Sequence, residues 1–152
     1  QFSANRVVRQ YTDQHYLPAA AAYRNRAADR GGLAERIVRW RHDLARKWAG
    51  LRFGQVRVST ERNYHDFEAK VYLGDLDLQA VQVEIYADGL DGAGPFRQEM
   101  TCVKMPADDS GSHLYSASVP AGRPATDYTP RAIPRNKDAL VPLEAGWIVW
   151  QR

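Results

Sequence analysis

The spacing of apolar residues changes once along the chain, near residue 51, and that change divides it. Before it, apolar positions recur at helical intervals; after it, they alternate. Val7, Val8, Tyr11 and His15 share one helical face. Ser3 is suited to N-cap that helix, with Phe2 and Val7 at the positions of a hydrophobic staple. Pro18 lacks an N–H and restricts Leu17, so a helix end or kink is expected there. Ala19 to Arg30 is a strong helix-forming run, stopped by Gly31 and Gly32. In the helix that follows, Leu33, Ile37, Trp40, Leu44, Trp48 and Leu51 recur at steps of three and four and form one stripe. Arg36, Arg39, Arg41, Arg46 and Lys47 occupy the remaining faces, and Gly50 is a suitable terminator. The stripe is the candidate docking surface, expected to cap the part that follows it or to dock that part on a larger body.

From Phe53 the period is two. Strands are expected over 55–60, 67–73, 81–87, 98–105, 113–119, 127–133 and 146–151. Phe67, Ala69, Val71 and Leu73 point one way, and Glu68, Lys70 and Tyr72 the other; Val81, Val83 and Ile85 alternate with Gln82, Glu84 and Tyr86. Seven short strands separated by Gly/Asp/Pro turns predict an immunoglobulin- or fibronectin-like antiparallel β-sandwich. The fold class is therefore α+β, with basic helices over residues 1–50 and a seven-stranded sandwich over 51–152. Tyr128 fits a tyrosine corner, and Pro130 implies an edge position or a bulge in its strand.

Composition sharpens the division. Residues 1–52 carry a net +7 and residues 53–152 a net −4, giving the overall +3, so the two parts are suited to attract each other or a larger body. The single cysteine, Cys102, excludes an internal disulfide and reads as a buried inert thiol, in keeping with a reducing cytoplasm. No apolar run is long enough for a transmembrane helix, and no signal peptide is expected.

Chemistry-bearing motifs are sparse. His15, His42, His65 and His113 lack metal-ligand spacing, so no metal site is expected. The run from Asp88 to Gly94 lacks the ligand spacing of an EF-hand and the Gly-Lys-Ser/Thr ending of a P-loop, and reads as a turn. Ser59, Ser110, Ser116 and Ser118 lack a nucleophile setting, and no spacing pairs two carboxylates for acid/base work. The basic helices carry an apolar stripe typical of protein packing, so neither nucleic acid nor membrane is the expected partner. Trp147 and Trp150 have opposite parity in the last strand; one belongs in the core, and the other, or Tyr86 or Tyr72, is available to stack on a sugar.

The run from Phe2 to Ala22, with Phe-Ser, then Arg6-Val7 and Tyr11, then Tyr16-Leu17-Pro18-Ala19, resembles the closing helices of the catalytic region of bacterial alpha-glucan (glycogen-type) phosphorylases. Leu73-Gly74-Asp75-Leu76 followed by Val81 to Tyr86, then Asp127-Tyr128-Thr129 with Arg131 and Pro134, and Trp147 to Trp150, resemble that family's sandwich. Pro130 stands where the family usually has Val. The resemblance implies a parent enzyme that phosphorolyses alpha-1,4-glucan to glucose 1-phosphate, using pyridoxal phosphate held by a lysine. The family's cofactor-lysine motif is not found in this chain, and Lys47, Lys70, Lys104 and Lys137 lie in unrelated contexts. The chain, opening on Gln1, therefore reads as a C-terminal piece of such an enzyme, cytoplasmic, with no catalytic, cofactor or metal residues of its own. Its expected role is a non-catalytic accessory domain that docks on the parent's catalytic body, with self-association through the helices when that body is absent. A glucan-binding module is the second expectation, and a free-standing enzyme the third.

Overall fold

The structure, a computed structural model, describes residues 4–90, 92–103 and 111–152. The Ser3 cap, the Phe2–Val7 staple, and Lys104 and Met105 of the expected fourth strand lie outside these residues. The chain forms two compact units, Gln1–His42 and Asp43–Arg152.

The first unit is helical. Helix α1 spans Ala4–Tyr11, one π turn follows over Thr12–Tyr16, and α2 spans Leu17–Lys47, crossing the boundary between the units. The irregularity expected at Pro18 comes just before it. The backbone widens so that the Leu17 N–H reaches the Thr12 carbonyl, and Pro18 then sits in the first turn of α2, where a missing N–H is tolerated. The real interruption lies inside α2. Ala28 is extended (ψ 157°), and Asp29, Arg30 and Gly31 follow with φ of 50°, 57° and 82°. The break thus begins ahead of the glycine pair, with two non-glycine residues in left-handed backbone.

In the second unit, α2 ends in a 3₁₀ turn over Trp48–Gly50, closed by the Leu51 N–H on the Trp48 carbonyl at 3.0 Å. A Cβ on Gly74, which has φ of +59°, would stand 3.3 Å from the Gly50 Cα, so glycine is required there by both backbone and space.

Eight strands follow among the described residues: β1 (Arg52–Glu61), β2 (Tyr64–Tyr72), β3 (Val81–Ala87), β4 (Phe96–Glu99), β5 (Thr101–Val103), β6 (Ser112–Pro120), β7 (Thr129–Pro134) and β8 (Val149–Trp150). They form two antiparallel sheets, ordered β1-β2-β6-β5 and β4-β3-β7-β8. The architecture is α+β, but the strand count is eight rather than seven. The expected fourth strand divides at Met100. Its N–H still bonds the Val83 carbonyl at 2.9 Å, and from Thr101 the chain pairs with β6 in the other sheet. One alternating run thus serves both sheets, which a period of two cannot reveal.

Phe67, Ala69 and Val71 of β2, Tyr115 and Val119 of β6, Val81, Val83 and Ile85 of β3, and Ala132 of β7 form the core. Pro130 sits in this core on an inner strand, with continuous register against β3, so neither an edge nor a bulge accommodates it. Its carbonyl accepts from Gln151 at 3.0 Å, which places its missing N–H on the β8 side. There the ladder is only two residues long, so little pairing is lost.

Tyr128 ties the two sheets together. Its hydroxyl donates to the Pro120 carbonyl at the end of β6 at 2.7 Å. Its ring meets Phe67, His65 and Phe96 edge-on, with centroids at 6.2, 6.0 and 5.5 Å. His65 is itself satisfied on both nitrogens, Nδ1 facing Thr60 Oγ1 at 2.7 Å and Nε2 facing the Arg123 carbonyl at 2.9 Å. That carbonyl can only accept, so Nε2 carries a hydrogen. Pro120 is exposed, so Tyr128→Phe leaves its carbonyl to water and removes one hydrogen bond; it is expected to lower the unfolding free energy by about 0.5–1.5 kcal/mol in urea titration, and an unchanged midpoint and slope would show that the bond ties nothing.

Candidate functional site

The stripe predicted for docking is largely covered. Ile37, Leu44, Trp48 and Leu51 are buried, and Leu33 and Trp40 half-buried. Its first three residues belong to the helical unit and its last three to the β unit, where the Trp48 ring lies 6.5 Å from Trp147. The Trp40 indole N–H is buried with no acceptor among the described residues. The exposed apolar surface of the helical unit lies elsewhere: Val7, Val8, Tyr11, Tyr16, Leu17 and Tyr23 are all more than half exposed. Tyr11 contacts His15 and Tyr16 across the π turn, with ring centroids at 4.8 and 5.5 Å.

A second arrangement lies on the outer face of the β4-β3-β7-β8 sheet. Register sets Glu84 beside Arg131, and Arg131 beside Trp150. Arg131 donates from Nε and Nη2 to Glu84 Oε1 at 2.7 and 2.5 Å, while Gln82 donates to the other carboxylate oxygen at 3.0 Å. The guanidinium lies over the Tyr86 ring at 4.2 Å and the Trp150 ring at 5.0 Å. Both ions are thereby buried on a face that alternation assigns to solvent. The sequence signal was an arginine in register with a glutamate between two aromatics, visible only once the pairing of β3, β7 and β8 is known. Trp150 keeps 39% of its surface exposed and, with Arg52, Phe53 and Ile148, lines a shallow cleft of about 450 Å³.

A third feature is a groove of about 310 Å³ where the chain changes sheets, lined by Gln79, Gln82, Glu99, Cys102, Tyr115 and Arg135 among others. Arg135 and Glu99 pair across it at 2.9 Å. Cys102 is half-buried rather than buried and stands opposite Tyr115 in the β5–β6 ladder. The Tyr115 hydroxyl is enclosed without a partner among the described residues. Burial, with a smaller contribution from Cys102 and an opposing one from Arg135, pushes Tyr115 up to about 12, so it stays protonated at neutral pH.

His42 is exposed, and among the described residues no group of three or more His, Cys, Asp or Glu side chains is placed to hold a metal ion. No helix among them is long and apolar enough to cross a membrane. In the Asp88–Gly94 segment the Ala93 N–H closes a turn on the Leu90 carbonyl at 2.8 Å between β3 and β4; Asp91 lies outside the described residues.

Comparison with known families decides what these sheets are. The glycogen phosphorylase C-terminal domain family matches residues 48–152. The chain belongs to that family. No curated protein matches the chain. The matched span of this C-terminal domain starts at Trp48, in the last turn after α2, and takes in every strand. Of the four lysines, Lys47 and Lys137 are exposed, Lys70 lies 5.9 Å from the Tyr72 ring, and none of these three lines either groove. Lys104 lies outside the described residues.

Glu84→Gln in this C-terminal domain leaves a buried guanidinium without its counter-charge. It is expected to cost about 3–5 kcal/mol of unfolding free energy, far beyond an exposed pair such as Arg39–Glu35; equal losses for Glu84→Gln and Glu35→Gln would contradict the burial argument.

Proposed function

We propose that the chain is a non-catalytic accessory domain of a cytoplasmic alpha-glucan phosphorylase, and that its helical unit docks on the enzyme's catalytic region. The observation that carries this reading is the position of the family match. It begins at residue 48, so the helices ahead of it are outside the named domain, and they are where Tyr11, Tyr16, Leu17 and Tyr23 stand exposed. Large apolar side chains gathered in one helical segment and left exposed call for a partner. The excess of arginine in the same helices favours an acidic counter-surface. The strand orders β1-β2-β6-β5 and β4-β3-β7-β8, with Tyr128 opening β7, support an immunoglobulin-like sandwich in which β4 extends the second sheet.

In the intact phosphorylase, Tyr16→Asp with Leu17→Asp is expected to lower the unfolding temperature by several degrees and shorten the half-life of activity on heating. Unaltered thermal inactivation would exclude docking through this face. The chain alone, given pyridoxal phosphate, phosphate and maltoheptaose, is expected to form no glucose 1-phosphate, and any turnover would restore the free-standing-enzyme reading.

Glucan binding is the second reading, favoured by the exposed Trp150 ring held from below by Arg131 and Tyr86. It predicts amide and indole shift changes around Trp150 on titration with maltoheptaose, abolished in Trp150→Ala. A flat titration removes this reading and leaves the docking role untouched.

A further inference from the structure

The four strands at the sheet edges are unequal. β4 has four residues, β5 three and β8 two, but β1 has ten. A bulge between Phe53 and Val56 disturbs its first part, whereas Val56 to Glu61 pair with β2 without interruption. Arg57, Val58, Ser59, Thr60 and Glu61 are all exposed. Val58 stands opposite the buried Phe67, so it points to the core side, yet it is 44% exposed. Its cover is missing because the neighbouring edge of the other sheet is β8, two residues long. Natural edges of this length carry a proline, an inward charge or a covering segment; the stretch from Val56 to Glu61 holds no proline, and its core-side positions Val56, Val58 and Thr60 carry no charge.

We propose that the β1 edge is an interface between two copies of this chain, paired antiparallel about a two-fold axis at Ser59. The charge pattern selects the partner and the register. A two-fold through Ser59 sets Arg57 opposite Glu61 of the second copy, and Glu61 opposite its Arg57, so one antiparallel contact makes two ion pairs on the outer face. On the core side it pairs Val58 with Thr60 of the second copy, both β-branched, and covers the exposed valine. Other two-fold registers lose this. An axis at Arg57 or Glu61 sets like charges face to face, and an axis at Val58 or Thr60 leaves Arg57 opposite Ser59 or Asn63. Neither Arg57 nor Glu61 has an ion-pair partner among the described residues, so both charges are free to be used. The inference is independent of the docking role, since it uses a different unit of the chain.

An edge contact of this size is small for an interface, so the dimer is weak, with a Kd on the order of micromolar to millimolar. Sedimentation equilibrium of the full chain over a concentration series is expected to show monomer passing to dimer. Arg57→Glu sets two like-charge contacts in the interface and is expected to weaken the dimer about tenfold or more. The double variant Arg57→Glu with Glu61→Arg is expected to restore it by exchanging the signs. Arg57 stands opposite Glu68 and Glu61 opposite Tyr64 in the β1–β2 ladder, so circular dichroism and thermal unfolding of each variant check that the monomer keeps its fold. Three results would overturn the proposal: a monomer throughout the series, a single variant that associates as well as the unaltered chain, or a double variant that is not rescued. Association through the helices instead would be insensitive to both changes.

Discussion

The β unit depends on one donated hydrogen. Tyr128 opens β7 and gives its hydroxyl to the carbonyl that ends β6, so it spans from one sheet to the other. A phenylalanine would fill the space, but only the phenol both fills it and bonds the carbonyl that ends β6. Phe67, Phe96 and His65 pack against the ring from both sheets, and His65 continues the tie to the Arg123 carbonyl. Arg123 in turn donates to the Asp88 carbonyl at 2.7 Å, which anchors the loop leaving β3. A single side chain therefore sets the spacing of the sheets and the course of the two loops beside it.

Much of this fold was legible in the sequence, and the exceptions share a cause. The alternation in β2 and β3 places Phe67, Val71, Val83 and Ile85 inside, because a half-buried strand has only two sides to choose from. Alternation says nothing of which strand lies next to which. The split at Met100, the inner position of Pro130 and the buried Glu84–Arg131 pair all follow from neighbours distant in sequence. The helical part is a different case. Its periodicity marked out the helices, but their strongest stripe is mostly covered, and the weaker pattern at Val7, Tyr11 and Tyr16 is the one left in solvent. Apolar residues gathered on one side of a helix show that the side seeks cover, not where the cover comes from.

The family match and the two-unit division nearly coincide, at residues 48 and 43. The β unit therefore carries its own core, its own polar ties and a short stub of α2, whose Leu44 and Trp48 are buried. Two of its polar ties, Tyr128 with Pro120 and Arg131 with Glu84, join strands distant in sequence.

Pro130 has one more consequence, for the last strand. A proline there withholds a rung, and β8 is left with two paired residues. What keeps it in place is the stacking of Trp150 on the Arg131 guanidinium and the edge of Tyr86. The strand is fastened by a clasp rather than a zipper. A zipper frays residue by residue, whereas a clasp holds or releases as a whole. The identity of residue 150 is thus bound to that of residue 130: a chain with a full ladder at 130 is free to lose the tryptophan, and this one is not.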